Sequence, residues 1–292
     1  MPMTRRETQI WLEQALESIT PSYKAEAKLV MTSVLNCSPL DLLIEKEKRL
    51  SEAEWARIQQ IADRRSFHEP LQYILGEQGF MGHLFAVSPD VLIPRPETET
   101  LVEWVIARLE ERIEKAVSDR MVRVLDIGTG SGAIAVSIAR AVSKVEVVGV
   151  DISEAAVKTA EYNARKNDIT ERVTFGVSDL FSAVSKEMRF DIIVSNPPYI
   201  PETDRETLQR EVRLFEPEMA LFGGEDGLDF YRKIIPDARA YLVPGGILVF
   251  EAGHNQMPEI EAMFVAFGYG GIGHFEDLCG IPRFIYGILE ER

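Results

Sequence analysis

Asn196-Pro197-Pro198-Tyr199 is the segment whose composition speaks most directly of chemistry. Asn196 and Pro197 each precede a proline, which drives both out of the α region and holds the backbone extended. Such a rigid stretch presents the Asn196 side-chain oxygen and nearby carbonyls, including that of Pro197, as acceptors, with the flat face of Tyr199 beside them. Those parts suit a planar NH₂ group: the acceptors take its two protons while the ring stacks on its plane. The nitrogen of an amide or aryl amine is a poor nucleophile because its lone pair is delocalised. What it needs is orientation of that lone pair toward the carbon it attacks, and acceptors for protons that become acidic as charge develops. No titrating base is required there. The plainer alternative is a proline-rich strand exit.

A second constellation is Asp126-Ile127-Gly128-Thr129-Gly130-Ser131-Gly132, which runs directly into an apolar helix over 133–141. Alternating glycines permit a tight turn and close approach of a ligand to a helix N-terminus. The spacing is G-x-G-x-G, whereas a dinucleotide fingerprint reads G-x-G-x-x-G, and here an acid stands two residues ahead. Asp126 would repel a pyrophosphate and could hold an ammonium, so a nucleoside-like ligand with a cationic end is implied. Asp151 closes the next apolar run, where a carboxylate suits a pair of ribose hydroxyls. It could instead be an N-terminal acid for the helix that follows, although Ser153 is the better cap. After the third run, Asp179 is placed to accept from an adenine amine and Leu180 to pack on the ring. Three acids at three strand tips, together with the glycine turn, describe a site for S-adenosylmethionine, with the methyl carbon presented to the NH₂ group held at Asn196. No H-E-x-x-H, paired Cys/His spacing or Ser-His-Asp order is present, so no metal is expected. His68, His83, His254 and His274 are isolated, and Glu251 faces the crevice with either a site or a structural role.

The elements that must position these residues alternate. Strands are expected at Val122–Ile127, Val145–Val150, Val173–Val177, Asp191–Ser195 and Gly246–Phe250, with helices near 133–141, 154–167, 205–214, 228–241 and 255–267. Strands apolar along their length and separated by helical crossovers imply a parallel sheet covered on both faces. Gly271–Glu276 and Arg283–Leu289 are joined too tightly for a crossover and are expected to be antiparallel. Upstream, a helix runs through Leu101, Val105 and Leu109, and Phe80–Val87 alternates around Gly82 and His83 as a hairpin does. Residues 7–66 read as helices: Ile10, Leu12, Leu16 and Ile19 recur at helical spacing, as do Ala25, Leu29, Val30 and Val34, and Ser51 with Glu54 forms a capping-box signature. The expected fold class is α/β, a doubly wound, mostly parallel seven-stranded sheet with an N-terminal all-α bundle. The domains are drawn at 1–78, a hairpin linker at 79–95, and 96–292.

Bulk properties restrict the function classes. The chain has 292 residues, 46% apolar and 27% charged, which excludes disordered and fibrous classes. No apolar run reaches the roughly 18 residues that span a bilayer, and the N-terminus lacks a secretory pattern. Cys37 and Cys279 stand far apart, which fits a reducing, cytoplasmic setting. Net charge is −15; residues 1–80 carry 10 bases and 12 acids, and the rest carries 22 and 35. A field of that sign repels nucleic acid and anionic membranes and favours a basic partner. The alternative is an acidic surface that serves solubility alone.

Along essentially its whole length the chain resembles the bacterial N5-glutamine methyltransferases that modify peptide chain release factors. The resemblance rests on Asp126–Gly132, on Asn196–Tyr199 and on Ile93-Pro94-Arg95-Pro96-Glu97-Thr98-Glu99. It also rests on Glu216-Pro217 through Gly223-Gly224-Glu225-Asp226-Gly227-Leu228 with Tyr231-Arg232, and on Asp277 through Gly280 to Arg283. It implies a class I methyltransferase sheet, a helical domain that helps grip the release factor, and methyl transfer to the side-chain amide of the glutamine in a Gly-Gly-Gln loop. Carried over residue by residue, Gly128–Gly132, Asp151 and Leu180 line the cofactor, Asn196 touches cofactor and substrate, and Pro197, Pro198 and Tyr199 hold the glutamine amide. Arg95 and Glu97 shape the substrate side. A monomer acting on a protein is expected, without direct nucleic-acid or membrane partners, which the negative field would repel. Adenine-N6 methyltransferases share the Asn-Pro-Pro-Tyr motif, so that motif alone leaves the substrate open. A sister enzyme acting on a large-subunit ribosomal protein is the nearer alternative; it departs from the Arg95–Glu99 pattern.

Overall fold

The computed structural model describes residues 3–115 and 120–290. The outer limits of the expected domains, residues 1 and 292, lie outside the described residues. Two compact units are present. One runs to Glu77 and also includes Gln209–Phe215; the other comprises Gln78–Leu208 and the chain from Glu216 onward.

The first unit is built from α1 (Arg5–Leu16), α2 (Tyr23–Leu35), α3 (Pro39–Ile44), α4 (Glu52–Ser66) and α5 (Leu71–Leu75). The capping box at Ser51 and Glu54 is formed, with the Glu54 amide donating to Ser51 Oγ at 3.2 Å and the Ser51 amide to Glu54 Oε2 at 2.6 Å. Leu12, Leu16, Val30, Met31, Ile58 and Ile61 meet in its core. Ile10 and Leu29, expected on the same apolar stripes, are each 47% exposed. Ile10 sits two residues from Leu12, which on a helix turns it to the opposite side.

The second unit opens with a hairpin of β1 (Glu77–Phe80) and β2 (His83–Ala86). Its turn is Met81-Gly82, both at positive φ (49° and 73°), the conformation that matches strand twist in a two-residue loop. Then follow α6 (Pro96–Lys115), β3 (Val122–Ile127), α7 (Ala133–Ala141), β4 (Val145–Asp151), α8 (Glu154–Lys166), β5 (Val173–Val177) and β6 (Phe190–Ser195). After α9 (Arg210–Phe215), which belongs to the first unit, come α10 (Asp229–Ala238), β7 (Leu242–Glu251), α11 (Met257–Ala266), β8 (Tyr269–Glu276) and β9 (Pro282–Leu289).

The seven-stranded sheet has the order β5-β4-β3-β6-β7-β9-β8. The first five strands in that order are parallel, and β9 runs antiparallel to both its neighbours. Along β3, Val122 and Val124 enter one apolar cluster while Leu125 and Ile127 enter the other; Ile192 and Val194 of β6 oppose Phe190 and Ile193 in the same way. Strands alternate side chains between faces, so a sheet covered on both sides needs apolar residues at nearly every position. Chain order reverses between β3 and β6, and a crevice opens outside the carboxyl ends of strands at such a switch point.

The helix expected near 205–214 is broken. A 3₁₀ turn spans Glu202–Thr207, Leu208 is extended (φ −64°, ψ 148°), and α9 follows. Neither piece buries a residue, so no packing sustains a longer helix. Glu211 of α9 pairs at 2.7 Å with Arg65, whose side chain is 2% exposed and which also bonds Glu26 at 2.8 Å, tying this segment to the helical unit. Among the described residues no helix is long and apolar enough to cross a membrane.

Candidate active site

The glycine turn leaves β3 at the centre of the sheet. Gly128, Gly130 and Gly132 have φ of 72°, 53° and 78°, the left-handed region that residues with a Cβ enter at a cost. The turn hugs β4, with the Gly128 and Thr129 amides donating to the Val150 carbonyl at 2.8 and 3.0 Å. A Cβ at Gly128 or Gly130 would meet nothing within 4 Å, so their backbone lies open to a ligand. Gly132 differs: a Cβ there would stand 2.9 Å from Ala160 Cβ, so this glycine lets α7 pack closely on α8. Asp126 is fully enclosed beneath the turn. Its Oδ2 accepts from Thr129 Oγ1 at 2.7 Å, and the Ala135 amide is the other hydrogen-bonding influence on the carboxyl. Burial pushes its carboxyl up to about 7, against the Thr129 bond. With no exposed atom, Asp126 supports the turn from within and does not face an ammonium directly.

At the tip of β4 the Asp151 carboxylate accepts from the Gly130 amide through Oδ2 and from the Ser153 amide through Oδ1, both at 2.9 Å. Ser153 itself caps α8 through Ala156. Beyond β5, the Ser178 hydroxyl donates to the Leu180 carbonyl at 2.8 Å and accepts from the Ala183 amide at 3.0 Å. That knot holds Leu180 at φ 50°, a costly value for a branched side chain. At the tip of β6 the Ser195 hydroxyl donates to the Ile127 carbonyl at 2.7 Å, locking the two central strand ends together.

These tips share one cleft of about 960 Å³, counted with its open mouth. Gly128, Gly130, Asp151, Asp179, Leu180, Asn196, Pro197 and Pro198 line it. Its remaining wall includes Leu92, Met219 and Phe230, apolar residues from three separate segments that carry no sequence signal. A smaller pocket of about 410 Å³ adjoins through Gly128, Gly130 and Asn196 and takes in Arg95, Thr98, Thr129 and Ser131. Tyr199 lines neither. Its ring packs against the apolar cluster containing Tyr231 and Phe250, and burial drives its phenol above its usual range. Its carbonyl accepts from Gln256 Nε2 at 2.9 Å, and a Cβ at Gly227 would come within 2.2 Å of that oxygen. The Tyr199 ring is thus partly buried against that cluster, while its backbone carbonyl is braced from behind the segment.

Asn196 Nδ2 donates to Thr98 Oγ1 at 3.3 Å. Among the described residues neither Asn196 Oδ1 nor the Pro197 carbonyl accepts a hydrogen bond. Arg95 pairs with Glu216 at 2.6 Å, tying the 93–95 stretch to Pro217 in the cleft wall. Glu97 is exposed and lines neither pocket. Thr98, two residues inside a motif singled out for Arg95 and Glu97, is the member that reaches Asn196. Among the described residues no group of side chains could hold a metal ion.

The family described as methyltransferase small domain matches residues 107–216, and that described as PrmC N-terminal domain matches residues 7–76. The N-terminal domain of human METTL16 in complex with SAH has a TM-score of 0.55 at 14% identity, covering 95% of this chain and 97% of that one, and thus shares the fold. The release factor glutamine methyltransferase of Geobacter sulfurreducens is 42% identical over 90% of this chain and 89% of its own. That of Koribacter versatilis is 40% identical over 92% of each chain. With such identity running through both the helical unit and the sheet, the chain belongs to the release factor glutamine methyltransferase family.

Proposed function

We propose that this protein transfers a methyl group from S-adenosylmethionine to the side-chain amide nitrogen of the glutamine in the Gly-Gly-Gln motif of peptide chain release factors. The observation that carries this reading is the pair of free acceptors, Asn196 Oδ1 and the Pro197 carbonyl, on a rigid segment lining the cleft. Two acceptors on successive residues match the two protons of a primary amide.

The residues present fit the cofactor. Open backbone at Gly128 and Gly130 leaves room for close approach, each Asp151 oxygen keeps acceptor capacity beyond its one hydrogen bond, and Leu180 offers an apolar surface for a ring. S-adenosylmethionine, when bound, supplies an electrophilic methyl carbon. Asn196 and Pro197 hold the amide plane so that its nitrogen faces that carbon, and they bind its protons more tightly as positive charge develops. Pro198 keeps the segment extended, and Gln256 and Gly227 fix it from behind. No base is needed beside the nitrogen, since the product loses its proton readily.

The substrate reading is supported by the names of the relatives and by the acidity of the chain beyond residue 80, which suits a basic protein partner. A monomer acting in the cytoplasm without direct nucleic-acid contact is consistent with that substrate. The test is mass spectrometry of unmethylated release factor incubated with this protein and S-adenosylmethionine. One added methyl mapped to the Gly-Gly-Gln glutamine is the expected result. An unmodified glutamine despite intact cofactor binding would move the target to a ribosomal protein or to adenine in nucleic acid.

A further inference from the structure

A buried carboxylate stands behind Asn196 without an assigned task. Thr98 Oγ1 donates to Glu251 Oε2 at 2.6 Å and accepts from Asn196 Nδ2 at 3.3 Å. Thr98 is 4% and Glu251 2% exposed. Glu251 is the last residue of β7, and Tyr231 donates its phenol proton to the Glu251 carbonyl at 2.9 Å, which holds the strand end. Arg283 from β9, Arg95 and Glu97 at the start of α6, and the Tyr199 and Tyr231 phenols are the charged and titratable groups around this carboxyl. Arg283 is already bonded to Asp277 at 2.8 Å. Among the described residues Glu251 makes no ion pair.

We infer that Thr98 and Glu251 are positioning residues that fix which way the Asn196 amide points. The argument is one of polarity. An ionised carboxylate only accepts, so it claims the single Thr98 hydroxyl proton. The Thr98 oxygen then has only lone pairs left for Asn196, and only the NH₂ end of that amide can face it. Oδ1 is thereby turned to the cleft as an acceptor. Remove the carboxylate and the hydroxyl can donate as readily as accept, so both amide orientations become allowed. The flipped orientation would set an NH₂ against the NH₂ of the substrate. Burying an acid without a cation is expensive, and Glu251 is pushed up to about 7 by burial, against the Thr98 bond. Such a cost directly behind Thr98, which lines the smaller pocket, is a mark of function more often than of packing.

The inference rests on the amide-methylation reading, and its test separates the two. Wild-type methylation of the glutamine checks the reaction; ratios of variant to wild type check positioning. Turnover and KM are measured at a pH above 7, with cofactor affinity by calorimetry, for Thr98→Val, Thr98→Ser and Glu251→Gln, each alone and combined with Asn196→Ala. Thr98→Val and Glu251→Gln are expected to lower kcat roughly ten- to a hundredfold, with cofactor affinity changed less than about threefold. Thr98→Ser, which keeps the hydroxyl, is expected to retain activity within about threefold. In the Asn196→Ala background both effects should vanish, because a residue acting only through Asn196 has nothing left to orient. Full activity of Thr98→Val, or losses that add to that of Asn196→Ala, would overturn the inference. Should Thr98→Val not fold, the Glu251→Gln cycle with Asn196→Ala distinguishes the same two outcomes.

Discussion

The Asp151 carboxylate and the Gly130 amide lie 2.9 Å apart in a hydrogen bond that joins the tip of β4 to the glycine turn after β3. One acid therefore serves two purposes: it shapes the turn and still offers acceptors to the cleft. Replacing it should weaken the cofactor through both. Asp151→Ala is expected to raise the dissociation constant for S-adenosylmethionine roughly 10- to 150-fold, the range for a lost hydrogen bond to a charged group. Isothermal calorimetry reads this directly, and an unchanged constant would count against the role.

Asn196→Ala removes the side-chain acceptor and leaves the backbone path to its two prolines. Turnover should fall by roughly two to three powers of ten while cofactor binding stays nearly intact, as for loss of one oriented polar group in a transition state. Single-turnover methylation at saturating cofactor is the measurement; wild-type rates would remove Asn196 from the mechanism.

The brace behind the motif is equally exposed to test. A Cβ at Gly227 would stand 2.2 Å from the Tyr199 carbonyl, at φ +78°, and one at Gly223 would stand 2.4 Å from the Pro198 carbonyl. Both contacts are with backbone, which cannot swing aside. Gly227→Ala should shift the motif and lower turnover by about two powers of ten, the penalty for small misplacement at a reacting centre. A folded Gly227→Ala variant with wild-type turnover would show that the loop does not position Asn196.

Arg95 and Glu216 bear on stability. Glu216 is 1% exposed in its side chain and Arg95 32%, so removing the arginine strips a cation from a buried carboxylate. Because Arg95 is partly solvated, the loss falls short of that for a fully buried pair: Arg95→Met is expected to cost roughly 1–3 kcal/mol. Urea denaturation gives the value, and an unchanged midpoint would contradict it.

Asp126 predicts a pH dependence with a definite sign. Its carboxyl rises from 3.8 to about 7 on folding, chiefly through burial. The folded state thus holds the proton more tightly than the unfolded chain does. The contribution to stability is complete below the lower value and is lost as pH rises through the upper one. Asp126→Asn removes that loss, so the variant should gain in melting temperature relative to wild type between about pH 4 and about pH 8. A constant difference across that range would refute the assignment.

Much of this protein was legible along the chain. Val122–Ile127, Ala133–Ala141 and Val173–Val177 coincide with the expected elements to the residue, because apolar runs bounded by glycine and charge leave few other options. The strand-tip residues share a cleft because a parallel sheet puts all its carboxyl ends on one edge, so a residue that follows such a strand is placed by chain order alone. The helix near 205–214 was not legible in this way, since its few apolar residues find no core to pack on.

What sequence could not decide is the direction each side chain takes at those tips. Asn196 and Tyr199 stand three residues apart on one rigid segment, yet one lines the cleft and the other packs partly buried against the apolar cluster beside it. Groups distant along the chain hold this segment: Gln256 takes the Tyr199 backbone carbonyl from 57 residues away, and Thr98 engages the Asn196 side chain across 98. Thr98 is in turn bonded to Glu251 over a separation of 153. Spacing along the chain determined the chemistry on offer, because residue types and strand order are local or sequential properties. Orientation was decided only by tertiary structure, because a hydrogen bond depends on where its partner's atoms lie in space.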